Sequence, residues 1–210
     1  SNADVNQLVH NSIWSQKSNF CDVPTDCPTR ERAAWTGDMG VFVDTGIYLE
    51  DCYPVIRKWL GECRLNQKED GKVVNIAPPN NVPTFFSDML SGSVAWGDAS
   101  IIVPYALYKR YDDVRILEEN YEMMKGWMRF LQSRANKPDS PSQFENNPWH
   151  TYTIETGVDY GEWCVPGMVA QMAMAKPQYK VSTAYYSGSA RMLSEIAEIL
   201  GKEEDAAFYR

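Results

Sequence analysis

The sequence has no long apolar run, so nothing in it reads as a membrane-spanning helix. It has no basic stripe either. Its 20 Lys and Arg are scattered among 28 Asp and Glu, for a net charge of -8, and no nucleic-acid footprint emerges. Histidine is scarce: His10 and His150 lie far apart, which argues against a His-type metal site and against a Ser-His triad. The five cysteines (21, 27, 52, 63 and 164) form no C-x-x-C and no zinc spacing. Cys52 and Cys63 fall too far apart along one predicted helix to bridge, so reduced, buried thiols are expected. No metal and no cofactor is implied. Strand-like alternation is nearly missing as well.

What remains is helical period and a surplus of rings. Val5, Leu8, Val9, Ile13 and Trp14 recur at helical spacing near the start, before the two prolines of "CDVPTDCP" break the pattern. Residues 39–67 read as a short helix on Val41, Val43, Ile47 and Tyr48, then a second on Val55, Ile56, Trp59, Leu60 and Cys63. A helical hairpin follows. Its first arm carries Ile102, Tyr105 and Leu107; its second carries Ile116, Leu117, Tyr121, Met124, Trp127, Met128 and Leu131. The last long helix places Val181, Tyr185, Met192, Ile196, Ile199 and Leu200 on one face, closed by Gly201. Long loops separate these elements, too long for an ordinary four-helix bundle. Phe85, Phe86 and Met89 argue that one of them is packed. The expected fold is all-α, a ring of helical hairpins with loops meeting at one end.

Three of the loops share a composition of acid, tryptophan and glycine. "DCPTRERAAWTGDM" carries Asp26, Arg30, Glu31, Trp35 and Asp38; "VAWGDA" carries Trp96 and Asp98; "VDYGEW" carries Asp159, Glu162 and Trp163. In a loop, Asp26, Glu31 and Asp38 are free to converge, as they could not on one helix. Neighbouring carboxylates oppose ionisation of a Glu and a neighbouring Arg favours it, the balance by which a general acid is set up. On composition alone a solvated charged loop with Asp38 as a helix cap is the preferred reading of the first stretch, because charged loops are common. Likewise Trp96 reads as a core ring or a pocket wall, Asp98 as a cap or a group facing the pocket, and "VDYGEW" as a turn or a mouth. The repetition across three loops favours glycoside chemistry, in which one carboxylic acid protonates the leaving oxygen and a second carboxylate activates water or attacks. Seven Trp and twelve Tyr suit sugar binding too.

"DCPTRERAAWTGD", followed by "WGDASIIVPYALYKRYDD", "YGEW" and "STAYYSGSARMLSEIAEILGKEEDAAFY", resembles the catalytic domain of the family 78 α-L-rhamnosidases. The resemblance spans nearly all of residues 1–210. It implies an (α/α)6 barrel, of which this chain is the N-terminal part of the catalytic domain, and removal of terminal α-L-rhamnose with inversion and without a catalytic metal. Glu31 is then the general acid. Asp26 and Asp38 hold rhamnose hydroxyls with help from Arg30, and Trp35, Trp96 and Trp163 are walls of the sugar pocket. Asp98 and Glu162 join the binding set. The family motif often has one more acid between the Arg and the Glu, whereas here Glu31 follows Arg30 directly. The family's general base is expected beyond Arg210. The expected partner is a rhamnoside, with no nucleic acid and no membrane, and self-association through exposed helix faces. Two alternatives stand: another inverting (α/α)6 glycosidase of trehalase or fucosidase type, or a non-catalytic carbohydrate-binding protein.

Overall fold

The computed structural model describes residues 2–79, 91–135, 142–161, 166–167 and 178–210. Among these the chain is helical: α1 (Ala3–Asn19), α2 (Thr36–Leu49), α3 (Tyr53–Asn66), α4 (Ala99–Tyr111), α5 (Arg115–Ala135), a 3-10 turn (His150–Tyr152), α6 (Tyr179–Ile199) and α7 (Glu203–Tyr209). No strand occurs among the described residues, only the isolated bridges Phe20–Pro24 and Trp35–Ile76. None of the described helices is long and apolar enough to cross a membrane.

Helices α4 and α5 form the expected hairpin and the centre of the structure: α2 packs on α4, while α3 and α6 each pack on both. The turn between them is made by Asp112 in the left-handed conformation (φ 54) and by Asp113, whose Oδ1 accepts the Arg115 N–H at 3.1 Å. The predicted apolar face of α5 is buried throughout, with Ile116, Leu117, Met124, Trp127 and Leu131 at 0% exposure. The face of α3 behaves alike at Ile56, Trp59, Leu60 and Cys63, while Val55 stays half-exposed. Helix α4 departs from expectation. Its best-buried residues are Ile101, Val103, Ala106 and Leu107, with Ile102 and Tyr105 only half-buried. A helix enclosed by several neighbours has no single apolar stripe for periodicity to report.

Helix α6 departs further. Its inward residues are Ser182, Ser189, Leu193, Ser194, Ile196 and Ala197, so of the predicted face only Ile196 is fully buried. The reason lies in the core itself, which holds two carboxylates that need donors: Ser182 Oγ donates to Asp159 Oδ2 at 2.7 Å, and Ser189 Oγ donates to Asp98 Oδ1. Gly201 ends the helix as expected. At φ 68 it takes the left-handed conformation that a side chain resists, and its N–H reaches Glu198 O at 3.0 Å.

Helix α1 is capped by Asn2, whose Oδ1 accepts from Asp4 N at 2.8 Å and Val5 N at 3.3 Å. The apolar residues whose spacing marks this helix are exposed at Val5, Leu8, Val9 and Trp14. Helix α1 is tied to α2 by Gln16 Nε2, which donates to Gly46 O at 3.1 Å. In α2, Val43 and Ile47 are buried as expected, but Val41 and Tyr48 are about four-fifths exposed at 80% and 81%. Phe85, Phe86 and Met89 lie outside the described residues.

Candidate active site

The charged stretch closes into a loop by its own hydrogen bonds. Asp26 N donates to Ala33 O at 3.0 Å, and Ala33 N donates back to Asp26 Oδ1 at 3.0 Å. Arg32 turns the chain at φ 52, and Glu31 N donates to Cys27 Sγ at 3.1 Å. Beyond the loop the backbone lies against the segment after α3: Thr36 N donates to Asn75 O at 2.8 Å and Ala77 N to Ala34 O at 3.0 Å. Helix α2 starts immediately, with Trp35 rather than Asp38 in the cap position and Asp38 inside the first turn. A carboxylate there is favoured by the free N–H groups of the helix start.

The three acids of this stretch converge. Burial is the main cause that lifts the Asp38 carboxyl above the ordinary Asp value, and the charges of Asp26 and Glu31 push it further the same way. A backbone N–H bond opposes this. Asp38 is exposed as a residue, yet enough protein surrounds its carboxyl for burial to lead. Asp26 and Asp38 line a cavity of about 780 Å³, together with Gly37, Trp96, Gly161 and Tyr185. Glu31 stands outside that lining with its side chain 41% exposed. Its Oε1 accepts from Arg30 Nη2 at 3.1 Å and its Oε2 from Trp35 Nε1 at 3.0 Å.

The other two loops reach the same place. Trp96 lies on Gly37, where an added Cβ would sit 2.6 Å from the indole, so glycine is required for this approach. Tyr160 stands edge-on to both tryptophans, at 6.0 Å from Trp35 and 4.7 Å from Trp96. Asn75 joins the three: its Nδ2 donates to Tyr160 Oη at 3.2 Å and its Oδ1 accepts from Ser93 N at 3.2 Å. The sequence pattern singles out neither Tyr160 nor Asn75. Tyr160 sits inside "VDYGEW", where the acids on either side of it carry the stronger signal. Nothing in "VVNIAP" marks Asn75.

Asp98 and Asp159 do not face the cavity. Asp98 is fully buried and accepts from Trp127 Nε1 at 3.1 Å, from Ala95 N at 2.7 Å and from Ser189 Oγ. Burial raises its carboxyl against the pull of these donors. Ala95 has φ 74, so Asp98 pins the strained residue that turns Trp96 toward Gly37. Asp98 therefore supports the pocket wall instead of contacting a ligand. Asp159 is 3% exposed and paired with Arg134, which corrects its expected place at the mouth. Glu162 and Trp163 lie outside the described residues.

Among the described residues no group of three or more His, Cys, Asp or Glu is placed to hold a metal ion. Cys52 and Cys63 are buried free thiols, as expected, although Cys52 sits at the cap of α3 and not within it. Cys21 is exposed and Cys27 half-buried, unlike the expectation; Cys164 lies outside the described residues. Burial pushes the Cys52 thiol up to about 11 and the Cys63 thiol higher still. Since the thiolate is the nucleophile, brief iodoacetamide treatment of the native protein is expected to label Cys21 and Cys27 and to spare Cys52 and Cys63 until denaturant is added. Peptide mass spectrometry reads this directly, and equal early labelling of Cys63 and Cys21 would contradict the burial.

Comparison with known proteins supplies the context for this geometry. Residues 1–210 match the family described as the bacterial alpha-L-rhamnosidase 6 hairpin glycosidase domain. The chain is 35% identical over 214 residues to an alpha-L-rhamnosidase of Formosa agariphila, covering 100% of this chain and 20% of that one. An alpha-L-rhamnosidase structure from Dictyoglumus thermophilum superposes with a TM-score of 0.80 at 35% identity, over 100% of this chain and 21% of that one. The Streptomyces avermitilis alpha-L-rhamnosidase complexed with L-rhamnose superposes with a TM-score of 0.77 at 31% identity, over 100% of this chain and 18% of that one. The chain thus spans about a fifth of the length of these relatives, and the all-α, six-hairpin expectation agrees with them.

Proposed function

Because the chain belongs to the family of bacterial α-L-rhamnosidase six-hairpin glycosidase domains, we propose that it forms the acid-bearing part of a longer glycoside hydrolase that removes terminal α-L-rhamnose with inversion. The observation that carries this reading is the convergence of Asp26, Glu31 and Asp38 beside one aromatic-walled cavity. Glu31 is the general acid: its carboxyl is open to solvent on one side and held by a ring N–H on the other. Asp26 and Asp38 face the cavity and accept hydroxyls of the sugar, while Trp96 supplies a flat apolar wall; Tyr160 packs edge-on against Trp96 and Trp35, and both Tyr160 and Trp35 lie outside the cavity lining. Arg30 adds charge beside the acid. Glu162 and Trp163 complete the binding set. Inversion needs a second carboxylate across the sugar, about 6.5–9.5 Å from the acid, to activate water. That base is assigned to the rest of the longer enzyme.

The test is a panel of 4-nitrophenyl glycosides given to the full-length enzyme, with the first product followed by proton NMR. Release from the α-L-rhamnoside alone, with β-L-rhamnose appearing before mutarotation, is the expected result. A preference for the fucoside or glucoside would remove the rhamnose assignment. Early α-L-rhamnose would remove inversion.

A further inference from the structure

The two carboxyl oxygens of Glu31 have unlike partners. Arg30, at Oε1, has a side chain 85% exposed. An exposed ion pair of this kind contributes little and opens readily. Trp35, at Oε2, is fixed. Its backbone bridges to Ile76 and caps α2, and its ring lies edge-on to Tyr160. An indole N–H is also a donor only, without charge, so it cannot compete for the proton that an acid must deliver.

We propose that Trp35 is a positioning residue for the acid step: its N–H holds Glu31 Oε2 and assigns the transferable proton to Oε1. In that step Arg30 swings off Oε1. As the C1–O bond breaks, its electron pair passes to the leaving oxygen, which takes the proton from Glu31 Oε1, while water bonds to C1 from the opposite face and gives a proton to the base, leaving an alcohol, the free sugar and a Glu31 carboxylate. The Trp35 bond to a neutral carboxyl becomes a charge-assisted bond to a carboxylate, and such bonds are about twice as strong. An interaction that strengthens as the reaction proceeds lowers the barrier without tightening substrate binding. The inference rests on Glu31 being the acid.

Trp35→Phe in the full-length enzyme keeps a ring and removes the donor. Methyl α-L-rhamnoside needs its leaving oxygen protonated; 4-nitrophenyl α-L-rhamnoside scarcely does. The expected result is a kcat about 10–100-fold lower on the methyl glycoside, with kcat on the nitrophenyl glycoside and both KM values nearly unchanged. The retained nitrophenyl rate also certifies folding. In a Glu31→Gln background the same substitution should make no further difference. Equal losses on both glycosides, a change in KM alone, an unchanged methyl rate, or additive losses in the double variant would each overturn the proposal. Glu31→Gln by itself separates the two failures. If that variant keeps its methyl-glycoside rate, the acid assignment falls regardless of what Trp35 does.

Discussion

Replacing Arg134 by Met is expected to lower stability by about 3–5 kcal/mol, the usual cost of stripping one partner from a buried ion pair. The Arg134 and Asp159 side chains are 7% and 3% exposed and meet at 2.7 Å. Arg134 also donates to Gly92 O at 3.3 Å, to Asp159 Oδ1 at 2.9 Å and to Thr156 O. Asp159 further accepts from Val94 N at 2.8 Å and from Ser182. One guanidinium therefore joins α5 to the loops that carry Trp96 and Tyr160, and Asp159 extends the link to α6. Removing it leaves a carboxylate in the core with no cation and two loop carbonyls without their donor. Chemical denaturation followed by tryptophan fluorescence gives the size of the loss. A midpoint indistinguishable from wild type would show that the pair is neither buried nor connected in this way. Adding Asp159→Asn should recover part of the loss, since the stranded charge goes with it, but not the carbonyl bonds to Arg134.

Glu31→Gln in the full-length enzyme is expected to lower kcat on an alkyl rhamnoside by about 10²–10⁴-fold, the range that general acid catalysis supplies. Gln keeps the length and the carbonyl that accepts from Trp35, so the loop geometry and the substrate KM should hold. What it lacks is a proton to give. The loss should shrink on a nitrophenyl rhamnoside, whose leaving group departs without help. Near-normal turnover of the alkyl glycoside would sink the assignment, and a rise in KM with unchanged kcat would move Glu31 into the binding set.

Elements whose burial is one-sided are legible in the sequence. Helix α5 and helix α3 each turn a single apolar face to the core, and the period of Ile116 to Leu131 and of Ile56 to Cys63 reports it. Periodicity fails where a helix is enclosed, as at α4, and where the inward face is polar, as at α6. Ser182 and Ser189 look like surface residues until the carboxylates they serve are in view. Composition fails for a related reason at Asp98 and Asp159. A short acidic loop residue beside a Trp has the same composition whether it faces a ligand or an indole N–H, and only the direction of the side chain separates the cases.

The helical class, the hairpin of α4 and α5, the stop at Gly201 and the grouping of acids and tryptophans into three loops depend on local spacing and backbone freedom, and were therefore readable from residue order. Tertiary structure alone decided which of those acids share a cavity. Asp26 and Asp38 reach it, with Glu31 close enough to act on Asp38; Asp98 and Asp159 turn inward to Trp127 and Arg134. It alone showed Tyr160 between Trp35 and Trp96, and Asn75 tying their loops together. The physical reason is that a carboxylate or a ring is assigned its role by partners distant in the chain, and no local pattern records where those partners come to rest.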